Sequence, residues 1–355
     1  MVKEVVFAVP GDLATPTGGY GYDRRMIAEL PALGWQPRVL DLGEGFPRPT
    51  AAVRAAAGAS LAARTAAAPI VIDGLAFGVL PEVAETLSST HRLVAVVHHP
   101  LALETGLSAG EAAALGASER AALVRAHRVI ATSAATARLL VSDYGVPAGR
   151  LTVIRPGTDQ IAACPRERAG PMAMLAVGAV VPRKGYDVLV AALAKLRDLS
   201  WRLTIVGDHG RSPETARRLF IEIARLDLLG RIDFAGAVAP AQLSEFYAAA
   251  DLFVLASHFE GYGMAYSEAI AHGVPVVGTT AGAIPDTVPR GAGMLLPPGD
   301  VDALAAALRL LIENPAARDL LAAGARAAAA TFPSWAQSAE LFAQVLGDVD
   351  GFDQA

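Results

Sequence analysis

Short β-branched runs alternate with longer, alanine-rich stretches along nearly the whole chain. In the first half, Glu4–Val9, Arg38–Asp41, Pro69–Asp73, Leu93–Val97, Arg128–Ala131 and Leu151–Ile154 have the length and content of strands. Between them, stretches such as Tyr22–Leu33, Glu111–His127 and Ser133–Tyr144 carry helical spacing. From Pro156 to Pro171 the pattern breaks: PGTDQIAACPRERAGP holds three prolines, two glycines and no period, the mark of a linker. The alternation then restarts. Strands are predicted at Met174–Val177, Leu203–Val206, Arg231–Phe234, Leu252–Leu255 and Val274–Val277. Helices are predicted at about Tyr186–Leu196, Pro213–Leu229, Pro240–Ala249, Met264–Ala271 and Asp302–Ile312. Strands apolar on both faces and separated by helices imply parallel sheets covered on both sides. The expectation is an α/β chain of two Rossmann-like, doubly wound domains.

Composition fits that picture. A chain of 355 residues suits two domains of roughly 100–200 residues each. Apolar residues make up 53% and charged residues 18%, so the composition is that of a folded protein. The net charge of −5, with no basic block, argues against a nucleic-acid groove. Cys164 is the sole cysteine, which excludes an internal disulfide and a thiolate-rich metal site. The opening MVKEVVFAVPGD meets turn residues too soon for a signal peptide. Apolar runs such as Ala173–Val181 fall short of the ~20 residues a spanning helix needs. A cytoplasmic protein is expected, with peripheral membrane contact left open.

In doubly wound sheets the ligand crevice lies outside the carboxyl ends of the strands. Leu252–Leu255 ends in ASHFEGYGMAYSEAIAHGVPVV, which places Glu260 in a loop and Glu268 one turn into the following helix. A glycine-containing loop that leads into a helix N-terminus suits a diphosphate. Glu268 could then accept from a ribose diol, and Glu260 from hydroxyls attached beyond the phosphates. The plainer alternative makes Glu268 a helix acid and Glu260 a solvated loop residue. Lys184, in VGAVVPRKGYDVLVAAL, is one of only three lysines, beside Arg183 at the end of a predicted strand. Leu93–Val97 runs directly into His98 and His99. Gly18–Gly19 follow the first strand and precede a predicted helix.

Two glutamates with seven residues between them, around E-G-Y-G, resemble the signature of glycosyltransferase family 4. The VGAVVPRKG segment is similar to that family's G-R-x-x-x-x-K-G, with Lys184 at the lysine and Ala179 where the arginine would stand. Arg183 is the candidate replacement. The resemblance covers nearly the whole chain and implies a GT-B fold, with two domains facing across a cleft and a C-terminal helix crossing back to the first. It puts an acceptor-side domain at 1–158 plus about 333–355, a linker at 159–171, and a donor-binding domain at 172–332. By the resemblance, Glu260 contacts the donor sugar, Glu268 the nucleotide ribose, and Lys184 the diphosphate. Gly261, Tyr262, Gly263 and Met264 line the donor, Gly18 and Gly19 form the N-terminal glycine loop, and a histidine (His98, or else His99) lies near the reacting sugar.

The implied activity is retaining sugar transfer (EC 2.4, hexosyltransferase type) from a nucleotide-diphosphate sugar to a sugar, lipid or small-molecule acceptor. It would proceed by front-side displacement, with neither cofactor nor catalytic metal. Asp300-Val-Asp302 opens a predicted helix, so capping explains it, and Asp348-Val-Asp350 is read as tail. Rival readings are a GT-B-like sugar-nucleotide epimerase or phosphorylase, and a non-catalytic nucleotide-sugar binding module. Acceptor recognition is expected from Gly43–Pro49 and Leu101–Ala109.

Overall fold

The computed structural model describes residues 3–159, 161 and 170–350, with the backbone alone at 350. The chain divides into two compact units, Met1–Gly157 with Pro333–Ala355, and Thr158–Phe332. Most of the expected linker, including Cys164, lies outside the described residues.

The first unit holds strands β1 (Lys3–Val9), β2 (Trp35–Asp41), β3 (Ile70–Asp73), β4 (Leu93–Val97), β5 (Arg128–Ala131) and β6 (Leu151–Val153). They form one parallel sheet in the order β2-β1-β3-β4-β5-β6. β3 and β4 are buried at every residue, as strands covered on both faces must be, whereas edge strand β2 is mostly accessible. The second unit holds β7 (Met172–Val177), β8 (Trp201–Val206), β9 (Ile232–Gly236), β10 (Leu252–Val254), β11 (Val276–Thr279) and β12 (Gly293–Leu296), ordered β12-β11-β10-β7-β8-β9. Its pairings are parallel too.

In each sheet the winding reverses beside the first strand. The switch lies between β1 and β3 in the first unit and between β7 and β10 in the second. Loops that leave neighbouring strands in opposite directions there open a crevice at the strands' carboxyl ends.

Eleven strands match the predicted runs within a few residues. β12 was not predicted: GMLL is short, begins with glycine and has no β-branched residue. The first helix begins at Gly18, not Tyr22, so Gly18 and Gly19 are its first turn and do not precede it. The Thr17 hydroxyl caps that turn by accepting from the Tyr20 N–H. The helix ends at Glu29 and continues as a 3₁₀ turn, Leu30–Leu33, led by Pro31 at its second residue. The last helix, Trp335–Asp350, includes Asp348 and Asp350, which were expected in a tail. It packs on the first unit: Phe342 stacks on Phe7 of β1 with ring centroids 5.7 Å apart, Trp335 meets Tyr22 edge-on, and Ser338 Oγ donates to the Arg155 carbonyl at 2.8 Å.

Candidate functional site

The second unit's switch point is built by two loops. One follows β7 and runs from Gly178 to Gly185; the other follows β10 and runs from Leu255 to Gly263. They are laced together, since the His258 N–H donates to the Arg183 carbonyl at 2.8 Å. Gly185 permits this approach. Its backbone is left-handed (φ +64°), and a Cβ there would lie 2.0 Å from the Ala256 carbonyl oxygen.

Glu260 sits where the loops meet, 5% exposed. Lys184 Nζ donates to its Oε1 at 2.7 Å, Ser257 Oγ to the same oxygen at 2.7 Å, and Arg183 to Oε2 at 3.0 Å. Arg183 also donates to the Phe259 carbonyl at 2.7 Å. Burial alone would raise the carboxyl's pKa; the charges of Lys184 and Arg183, with the bonds from Lys184 and Ser257, override it and lower it to about 2. Glu260 is therefore an ionised, clamped group, and not the solvated loop residue of the plainer reading. The two cations expected to be open to a diphosphate both hold Glu260. Ala179 has no charge to add, and Arg183 reaches the same carboxylate as Lys184.

The helix Met264–Ala271 follows, with Gly263 at its N-cap in a left-handed conformation and so without a side-chain cap from that residue. Gly261, Tyr262 and Gly263 are buried, and the Tyr262 carbonyl accepts from the Thr287 hydroxyl. Glu268 accepts from the Tyr247 hydroxyl at 2.8 Å. Burial, with Asp159 adding to it, raises its pKa to about 7 against the hydrogen bond from Tyr247 and the charge of Lys184. The two glutamates of one signature thus have opposite electrostatics.

The other candidates belong to the first unit's switch point. His98 directly follows β4, Asp73 ends β3, and Asp23 projects from the helix Gly18–Glu29. His98 Nε2 lies 3.7 Å from Asp23 Oδ1 and 3.7 Å from Asp73 Oδ2. One carboxylate oxygen from each aspartate and one ring nitrogen of His98 lie within 4.8 Å of one another. Gly19 gives the ring room, because a Cβ there would stand 3.0 Å from His98 Cδ2. His99 pairs instead with Glu104 at 3.3 Å. Asp300 caps its helix by accepting from the Ala303 N–H at 2.9 Å, and Asp302 pairs with Lys195. A cavity of about 350 Å³ bordered by Arg120 and Tyr144 is also lined by Ala102 and Leu103 of the expected acceptor segment, and by none of the expected donor-binding or catalytic residues.

Four residues at these sites escaped the sequence reading: Ser257, Tyr247, Asp23 and Asp73. Asp73 had a signal, an acid at the end of an otherwise apolar strand. Asp23 had a weaker one, an acid among residues that form the helix's buried face.

Two family models tile most of the chain. Glycosyltransferase Family 4 matches residues 24–160 and Glycosyl transferases group 1 matches residues 160–328. A D-inositol 3-phosphate glycosyltransferase of Kineococcus radiotolerans is 32% identical over 254 residues, covering 64% of this chain and 58% of the relative. That of Rhodococcus opacus is 32% identical over 270 residues, covering 70% and 60%. The matched region thus spans under two thirds of these curated relatives. Sucrose-phosphate synthase from Thermosynechococcus elongatus shares the fold, with TM-score 0.83, 22% identity and coverage of 99% and 100% of the two chains. Anabaena HepE, solved with UDP and glucose, shares it at TM-score 0.75, 20% identity and coverage of 97% and 100%. The doubled parallel sheets, the switch-point loops and these matches together make the chain a GT-B member of glycosyltransferase family 4, the glycosyl transferases group 1.

Proposed function

We propose that this protein is a retaining glycosyltransferase that moves a sugar from a nucleotide-diphosphate sugar to a small acceptor. The observation that carries the reading is the buried Glu260, held by Lys184, Arg183 and Ser257 at the switch point between β7 and β10. In this reading the donor diphosphate lies against Lys184 and Arg183 and the helix N-terminus at Met264. Their charge stabilises the negative charge that builds on the departing diphosphate, commonly among the larger catalytic contributions. Glu260 remains ionised and accepts hydrogen bonds from sugar hydroxyls. It is a gripping group, because a carboxylate with a pKa near 2 is a poor general base at neutral pH. Glu268 accepts from the ribose, Gly261 to Met264 line the donor, and His98 serves hydroxyls of the reacting sugar.

The reading routes no step through a metal and keeps the chain in the cytoplasm with its donor. HepE was solved with UDP and glucose, which makes a UDP-sugar the first donor to try. The curated relatives carry the name of an inositol-phosphate transferase, which makes a phosphorylated polyol the first acceptor.

The test begins with thermal shift against UDP-, GDP- and ADP-sugars, followed by a product assay that detects free nucleoside diphosphate, a new glycoside and its anomeric configuration. One donor should stabilise the protein, and Lys184→Ala should lower transfer by about 100-fold or more. Unchanged turnover in both Lys184→Ala and Glu260→Ala would discard the site. Stabilisation by donor without transfer or donor hydrolysis would favour a binding module, and an altered nucleotide sugar an epimerase.

A further inference from the structure

Asp23 and Asp73 of the first unit's buried cluster have no counterpart in the motifs on which the family resemblance rests. Asp23 and Asp73 side chains are 3% and 1% exposed, and His98 between them is 19% exposed. Asp73 Oδ1 is used locally, accepting from the Leu75 N–H at 2.7 Å. Asp73 Oδ2, Asp23 Oδ2 and His98 Nε2 are buried without a hydrogen-bond partner. Three polar atoms left over in one place, on three different elements, are costly unless their charges compensate.

The surroundings leave little choice of ring orientation. The Tyr22 ring meets the imidazole edge-on at 5.5 Å, and Gly19 backs it from the same helix. From the β5 side the Thr132 hydroxyl donates to the His98 carbonyl at 3.3 Å. The titratable groups facing the ring are Asp23 and Tyr22 from the helix and Asp73 from β3; the neighbouring His99 has its own carboxylate in Glu104. A neutral imidazole could point a bare nitrogen at the aspartates, but two carboxylates repel a lone pair and attract an N–H.

We propose that Asp23 and Asp73 are positioning residues that draw the Nε2–H of His98 inward and hold the ring as an imidazolium, leaving Nδ1–H as its one donor to a substrate hydroxyl or phosphate. His98 is then a fixed cationic donor and has no basic nitrogen to offer. This rests on the proposed substrate-facing role of His98, yet its first test, the titration of the ring, needs no substrate. The electrostatics agree in direction: burial would lower the imidazole's pKa, and the two carboxylates outweigh that and raise it to about 10.

The chain has seven histidines, so ¹⁵N-histidine labelling gives a countable spectrum in which His98→Gln assigns the ring. In the intact protein both ring nitrogens of His98 should stay protonated beyond about pH 8, well above the ordinary histidine midpoint. Asp23→Asn and Asp73→Asn keep size and polarity, and Asn preserves the helix cap that Asp73 provides. Each should bring the midpoint down by about one unit or more. In assays with an identified donor, wild type should show no activity step near pH 6.5, and either variant should introduce one. A wild-type midpoint near 6.5 that ignores both substitutions would overturn the proposal. So would stabilisation of wild type, but not Asp73→Asn, by Zn²⁺ or Mn²⁺ alone, which would make the cluster a metal site. Loss of transfer without any change in the His98 titration would remove the positioning role while leaving the transferase reading intact.

Discussion

Glu260 shows how far a single residue's setting decides its chemistry. Its pKa falls from 4.5 to about 2, so its charge stabilises the fold above pH 4.5 and ceases to do so as pH drops toward 2. That shift is worth about 3 kcal/mol at neutral pH. Glu260→Gln should therefore lower the denaturation midpoint of the second unit at pH 7, with the gap to wild type closing below about pH 3. Equilibrium unfolding of both proteins across that range checks it, and a gap independent of pH would mean that shape, not charge, matters. Glu260 and Lys184 were legible in sequence because one lies in a spaced signature and the other is a rare lysine. Ser257 and Tyr247 were not, since a serine or tyrosine becomes a partner only through the fold that brings it to the carboxylate. The charge state of Glu260 was equally hidden. It depends on Arg183 and Lys184, some 76 residues away in sequence.

At the level of elements, the strand-and-helix rhythm was readable because both faces of each central strand are buried and leave continuous apolar runs. It failed at β12 and at the first turn of the first helix, where glycines hid a strand in one place and a helix start in the other. Loops are less forgiving than helices here. Gly185→Ala forces a Cβ against the Ala256 carbonyl from a left-handed backbone, so a loss of at least about 2 kcal/mol is expected, with weaker donor binding. A thermal melt with and without donor would reveal it; wild-type stability would mean that the two loops are not in register as described. On the adjoining helix, Glu268 has the opposite sign to Glu260. Its raised pKa favours the neutral form in the fold, a preference fully present below pH 4.5 and lost as pH rises through about 7. Glu268→Gln should thus melt a few degrees above wild type at pH 8 and equal it at pH 4.5, while weakening donor binding throughout.

At the scale of the whole chain, each unit has a sheet of its own, and the second has an apolar core drawn entirely from its own span, from Met172 to Phe332. A fragment of residues 158–332 should therefore fold cooperatively and, on the proposed reading, bind the donor nucleotide. Residues 1–157 alone should not fold as well, because Phe7 and Tyr22 lose Phe342 and Trp335. Circular dichroism melts of the two fragments, with 333–350 supplied in trans to the second, decide the matter. The return of the last helix to the first unit could be inferred from sequence only by resemblance, since nothing in an amphipathic helix names the surface it will cover.

That return has a consequence for synthesis on the ribosome. The first unit is interrupted at Gly157 and completed only by residues from Pro333 onward. At roughly 5–20 residues per second, the face of β1 that carries Phe7 waits about ten to thirty-five seconds for its partner. The nascent first unit must spend that interval with an apolar surface uncovered while the second unit, made later, is free to finish folding before it.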